Sequence, residues 1–164
     1  MPTIEIQVRR FSVVSPRSFD DIVSRLRADI GRPNMDTFHA ALGRARTLAD
    51  LEAVVQGAVG SSGLMEFIRF DAGEVLRKES RGQQPRIIRV VVGNPLIMKE
   101  MVKHVSDAAS YAPVTILIVE EANSVRLSYD TMASLIAPYG SAPASRVARD
   151  LDEKVESLMI EIAR

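Results

Sequence analysis

The chain has 164 residues, 46% of them hydrophobic and 26% charged, with 21 basic and 21 acidic side chains and a formal net charge of zero. That length carries one compact domain with a substantial core, and the composition excludes a disordered chain. The absence of any cysteine excludes disulfides, thiolate nucleophiles, Cys-ligated zinc and iron–sulfur clusters. No basic face marks a nucleic-acid partner, since Arg9-Arg10 and Arg77-Lys78 are the only adjacent basic pairs.

The N-terminal MPTIEIQVRRFSVVS alternates polar and apolar residues instead of presenting a continuous apolar run, so the expectation is no signal peptide. No apolar run has the length of a membrane span, and the expected location is the cytoplasm, with no membrane partner. Ile4, Ile6 and Val8 share one strand face, and Phe11 and Val13 continue in the other phase. The reading is a first strand with a bulge at Arg9 and Arg10. Next, SFDDIVSRLRADIG carries Ser18 and Asp21 at capping-box spacing and a stripe of Phe19, Ile22, Val23, Leu26 and Ile30, the pattern of an amphipathic helix ending at Gly31.

Residues 32–60 hold two short helical patterns, one around Phe38, Ala41 and Leu42, the other in TLADLEAVVQGAVG with Thr47 and Asp50 as a second capping box. GLMEFIRFD reads as a strand with Met65, Phe67 and Phe70 facing inward, and AGEVLRKESRGQQP as a short helix or a loop. Arg86 to Val92 is a further strand. VTILIV, from Val114, is a β-branched run expected to be central and covered on both faces. EEANS then turns into the alternation of Val125, Leu127 and Tyr129, a hairpin to an outer strand. The last helix places Val147, Leu151, Val155, Leu158 and Ile162 on one seam, with Arg149/Glu153 and Asp150/Lys154 spaced as ion pairs. Strands and helices that mix without strict alternation, with a tight hairpin among them, give an α+β domain. Its expected form is a two-layer, mostly antiparallel curved sheet packed against helices, including a long C-terminal helix.

Read together, Ser18-Phe19-Asp20, GLMEFIRFD, VGNP at 92–95 with the Met98 helix, the Pro113 strand to Glu120-Glu121, and VRLSYDTMASLIAPYG at 125–140 resemble the bacterial and archaeal family known as domain of unknown function 302. The resemblance implies a helix-grip-like α+β domain with no established activity. It also implies a division of the single domain 1–164 into a core of 1–31 and 61–142, a helical insert at 32–60 and a C-terminal helix at 143–164. Members often carry Cys or Gly before the Asn-Pro, Cys after the later Pro, and His in two further places. Here those positions hold Gly93, Val114, Ala72 and Tyr139, so every thiol or metal-capable option is missing.

Asn94-Pro95 is what helix initiation requires: a side-chain acceptor, then a residue with no donor to waste. The same helix start could present free N–H groups to a carboxylate or phosphate. His104, beside the stripe of Ile97, Met98, Met101, Val102 and Val105, complements the helix dipole in the plain reading. With Tyr111 it would be an acid–base or haem-ligand candidate in the functional one. His39 lies in a separate insert, and no metal-ligand spacing is present. The methionines and Tyr111, Tyr129 and Tyr139 fit an ordinary core, or an adaptable pocket at the mouth of a sheet gripping a helix. Asp71 and Asp130 sit at strand ends, where Asp usually caps a turn. Ser61 and Ser62 lie outside any nucleophile elbow, and phosphate-loop, dinucleotide and zincin motifs are absent.

These readings converge on a non-enzymatic binding protein for a small apolar or carboxylate-bearing ligand, held by Asn94, Met98, Met101, His104, Tyr111 and Tyr129. No catalytic residue, metal ligand or cofactor is assigned. A homodimer is expected, with the 32–60 insert at the interface. An enzyme of small-molecule metabolism using His104 with a Tyr or Asp is the alternative, and a structural or regulatory subunit is the third.

Overall fold

The computed structural model describes residues 3–80 and 84–164. The elements are β1 (Arg10–Ser15), α1 (Phe19–Asp29), α2 (Met35–Arg44), α3 (Leu48–Gln56), β2 (Met65–Asp71), α4 (Ala72–Ser80), β3 (Ile87–Gly93), α5 (Pro95–Val102), β4 (Val114–Glu121), β5 (Ser124–Asp130), α6 (Met132–Ile136) and α7 (Ala142–Ala163). The strands form one sheet in the order β1-β5-β4-β3-β2, with every neighbouring pair antiparallel. This is the α+β architecture expected from the pattern. AGEVLRKES is helical, while the Arg81-Gly82-Gln83 part of the helix-or-loop expectation lies outside the described residues.

Period-two alternation decides which face of the sheet is covered. Val114, Ile116 and Ile118 of β4 are buried with Val90 and Val92 of β3 and Val125, Leu127 and Tyr129 of β5. Against them pack Phe19, Ile22 and Leu26 of α1 and Ala148, Leu151, Val155, Leu158 and Ile162 of α7. Each large apolar side chain moved from water into this layer contributes about 1.5–3 kcal/mol. The seam of α7 is therefore spent inside the chain.

Several expectations are corrected. β4 is central, but Thr115, Leu117 and Val119 remain half-buried, so the strand is covered on one face only. A continuous apolar run cannot distinguish two buried faces from one buried and one apolar open face. β5 is interior, because β1 pairs along its far side. Ile4, Ile6 and Val8 lie outside any strand, and β1 pairs with β5 without a bulge. The bulge lies instead between Glu66 and Ile68 of β2, and it rotates Phe70 to the open face, where it is 53% exposed. Asp21 turns its carboxylate to Arg17 and Arg25, so only the Ser18 half of that capping box forms, whereas the Thr47/Asp50 box is complete. Lys154 donates to the Ser62 carbonyl at 3.2 Å, and among the described residues neither Asp150/Lys154 nor Arg149/Glu153 forms an ion pair.

The helical segment that follows α1 is fastened where it leaves and where it returns. The N–H groups of Gly31 and Gly60 both donate to the Leu64 carbonyl at 2.9 Å, and the Glu66 N–H donates to the Gly31 carbonyl at 2.8 Å. A Cβ on Gly31 would overlap the Ala58 carbonyl oxygen, and one on Gly60 would meet the Asp29 carbonyl oxygen. Only glycine permits this approach of three backbone segments. Between the two glycines, Phe38, Val55 and Ala58 build a second small core with Met65.

Candidate functional site

At the junction of this small core with the sheet, α5 begins. The Asn94 Oδ1 accepts from the Leu96 N–H at 2.8 Å and its Nδ2 donates to the Gly63 carbonyl at 3.0 Å, so both ends of the side chain are used in holding α5 to the 61–64 turn. Capping is thus the role the structure shows for Asn94. Beside the cap lies a pocket of about 180 Å³. Its floor is Gly93, Pro95, Ile97, Met98, Ala112, Pro113 and Val114; its wall is Phe38, His39 and Leu42 from α2, with Phe67 and Leu151 at the sides. The Ala112–Pro113 peptide that closes one end is cis. Apart from Asn94 and His39, the lining side chains are apolar, and His39 is the only ionisable one.

The other site candidates scatter. Met101 is fully buried in the main core, as are Met132 and Met159. His104 follows the end of α5, is exposed, and belongs to neither the pocket nor the open cleft described next. That cleft, of about 360 Å³, runs across the open side of the sheet and is lined by Arg10, Arg89, Tyr111, Thr115, Ser128 and Asp130, with Tyr129 at its edge. The Tyr111 and Tyr139 hydroxyls share a 2.9 Å hydrogen bond. That bond, then burial, then Asp107 raise Tyr139 above the ordinary phenol range. Asn94 and Met98 therefore share one pocket, Tyr111 and Tyr129 border another, and Met101 and His104 line neither. Strand-end acids do not converge: Asp130 pairs with Arg10 at 2.6 Å and Asp71 with Arg77 at 2.9 Å. Arg10 lowers Asp130 below the usual carboxylate range.

One buried polar centre escaped the sequence reading. Asp152 of α7, 4% exposed, accepts from the Tyr129 hydroxyl at 2.6 Å, the Met132 N–H at 2.7 Å and the Ala133 N–H at 3.0 Å. It caps α6 from a neighbouring helix, in place of Thr131, which makes no side-chain cap bond. Burial first, and the Asp152 carboxylate second, push the Tyr129 phenol upward, fixing it as a donor. The available signal was an Asp one residue after Leu151, on the apolar side of a helix.

Comparison with known proteins identifies the chain. The model of the family "Domain of unknown function DUF302" matches residues 44–162. The chain belongs to the DUF302 family. Its fold is similar to that of an uncharacterized conserved DUF302 protein from Bacillus stearothermophilus, with a TM-score of 0.66 at 11% sequence identity, covering 94% of this chain and 98% of that one. No curated protein matches the sequence. The matched residues begin after Phe38, His39 and Leu42, so α2 supplies a pocket wall from outside the family match. Gly93 and Val114, two of the positions at which the resemblance implied cysteine in other DUF302 members, line the same pocket. Among the described residues, no helix is long and apolar enough to cross a membrane.

Proposed function

We propose that this DUF302 protein is a cytoplasmic, non-enzymatic binding protein for a small, mainly apolar molecule seated beside α5. The observation that carries the reading is the pocket of about 180 Å³ between α2, α5 and the 112–114 segment. Its size favours one aromatic ring or an equivalent aliphatic group, since apolar protein cavities of about 150 Å³ take up benzene. A carboxylate-bearing ligand is less well served, because both polar ends of Asn94 are already engaged. Met98 supplies an adaptable side chain, and His39 at the mouth supplies the single polar contact available for orientation. The acid–base alternative loses support because His104 is exposed and makes no side-chain hydrogen bond to a Tyr or Asp among the described residues.

The test is titration of the protein with indole and benzene, followed by amide chemical shifts. Saturable shifts clustered on 38–42, 93–98 and 112–114, abolished by Met98→Gln and retained by His104→Ala, are the expected result. Shifts that do not saturate, or that survive Met98→Gln unchanged, would overturn the reading.

A further inference from the structure

The open face of the sheet and the unpaired N-terminal segment have matching chemistry. In the β1–β5 register, Arg10, Ser12 and Val14 lie opposite Asp130, Ser128 and Arg126, on the face opposite the main core, and of these six only Ser128 is buried. The Thr131 N–H donates to the Arg9 carbonyl at 2.9 Å, which extends the ladder one step further towards the N-terminus. Ile4, Ile6 and Val8 have the same parity as Arg10 and Ser12. An extension of β1 in its own register therefore places them on the open face. Among the described residues of one chain that extension has no strand to pair with, and Ile4 and Val8 stand 59% and 47% exposed.

The face itself is more apolar than a solvated sheet face needs to be. Ile68 and Phe70 are 61% and 53% exposed, opposite Val91 and Arg89, and Val14 is 60% exposed at the other edge. Arg10–Asp130 at 2.6 Å and Arg126–Glu121 at 2.8 Å pair two of its three strand arginines within the chain, and Arg89 donates to the Thr115 hydroxyl at 3.3 Å. Such a face does not select a polyanion, and a formal net charge of zero places no long-range repulsion between copies.

We infer that this face is where a second copy of the chain packs, sheet against sheet, with residues 3–8 of each copy prolonging β1 and laying Ile4, Ile6 and Val8 onto the partner. Five strands at about 4.8 Å spacing, each roughly 20–25 Å long, give a footprint on the order of 500–600 Å². Adding the N-terminal segment brings each side towards the roughly 800 Å² per partner of a stable interface. The interface is assigned to the strands and residues 3–8 and not to the 32–60 segment, and none of the residues named for it lines the α5 pocket.

Sedimentation velocity of the full chain from micromolar to about 100 μM tests the inference. The expected result is a species of twice the 18.0 kDa chain mass, at least tenfold weakened by Ile68→Glu with Phe70→Glu or by removal of residues 1–8, and unchanged by Leu48→Glu on the exposed side of α3. A second readout does not depend on the double variant folding: Ser12→Cys, the only thiol in the chain, reacts slowly at high protein concentration and quickly on dilution. A wild-type monomer throughout, a dimer indifferent to the Ile68/Phe70 variant but broken by Leu48→Glu, or a concentration-independent thiol reactivity would each overturn it.

Discussion

Replacing Asp152 with Ala removes the acceptor of three hydrogen bonds in a nearly dry environment: the Tyr129 hydroxyl and the N–H groups of Met132 and Ala133. The substitution also removes a buried charge, whose desolvation was unfavourable, so the bonds cannot simply be added. What remains is the Ala133 N–H without a partner, the Met132 N–H held only by the Tyr129 hydroxyl at 3.1 Å, and a buried phenol without its acceptor. Losing a helix cap costs about 0.5–2 kcal/mol, and stranding groups that bonded to a charge costs about 1.5–3 kcal/mol. The expected total is about 3 kcal/mol for Asp152→Ala. Asp152→Asn keeps one acceptor but turns an amide towards an N–H, and should cost about 2 kcal/mol. Tyr129→Phe leaves both N–H groups bonded to Asp152 and should cost only about 1 kcal/mol. Urea unfolding with an unchanged m-value reads these differences directly, and the Asp152→Ala/Tyr129→Phe pair should be less destabilised than the sum of its singles. If Asp152→Ala costs less than 1 kcal/mol, or no more than Tyr129→Phe, Asp152 is not the cap of α6 and the account of this centre fails.

Gly31→Ala drives a Cβ into the Ala58 carbonyl oxygen, and unfolding should show a loss of about 2–3 kcal/mol, against little change for Gly43→Ala, where a Cβ meets nothing. Because the Tyr129 phenol is raised above its ordinary value of 10.0, the folded state holds a proton that the unfolded state releases. Stability is therefore full below about pH 10 and lost as pH rises further, and phenolate absorbance in Tyr129→Phe should appear with less accompanying unfolding. Glu120 is held below its ordinary 4.5 chiefly by its hydrogen bond to Arg86, so its contribution is present above that pH and lost as pH falls through the folded value. With Arg86 and Glu120 each about a third exposed, the effect is small, about 0.2–1 kcal/mol, and Glu120→Gln should flatten that part of an acid-unfolding curve.

Local chemistry was the most legible part of the fold. Ser18, Thr47, Asn94 and Ser141 all accept from backbone N–H groups at helix starts, and three of the four stood out as caps from neighbouring residues alone. Strand existence followed from period-two patterns, but the covered face did not, because an open sheet face that is itself apolar writes the same letters as a buried one. Phe70 was misplaced by a bulge three residues earlier, a register event that depends on the partner strand. The site was legible only in part. Asn94 and Met98 are close in sequence and close in space. Their pocket is completed by Phe38, His39 and Leu42, more than fifty residues away, and only the return of the chain at Gly31 and Gly60 brings those side chains there. Asp152 was lost among six charged neighbours between Arg146 and Glu156, where mixed sign reads as a solvated surface.

The glycine clasp has a consequence for how such a protein can change. Since Gly31 and Gly60 bond to the same carbonyl, the two helices between them leave and rejoin the domain at a single point. A segment mounted in that way behaves as a cassette: shortening, lengthening or substituting it alters neither the spacing of the flanking elements nor the sheet register. Since α2 is one wall of the α5 pocket, drift confined to the cassette reshapes what the pocket admits while leaving the folding core untouched.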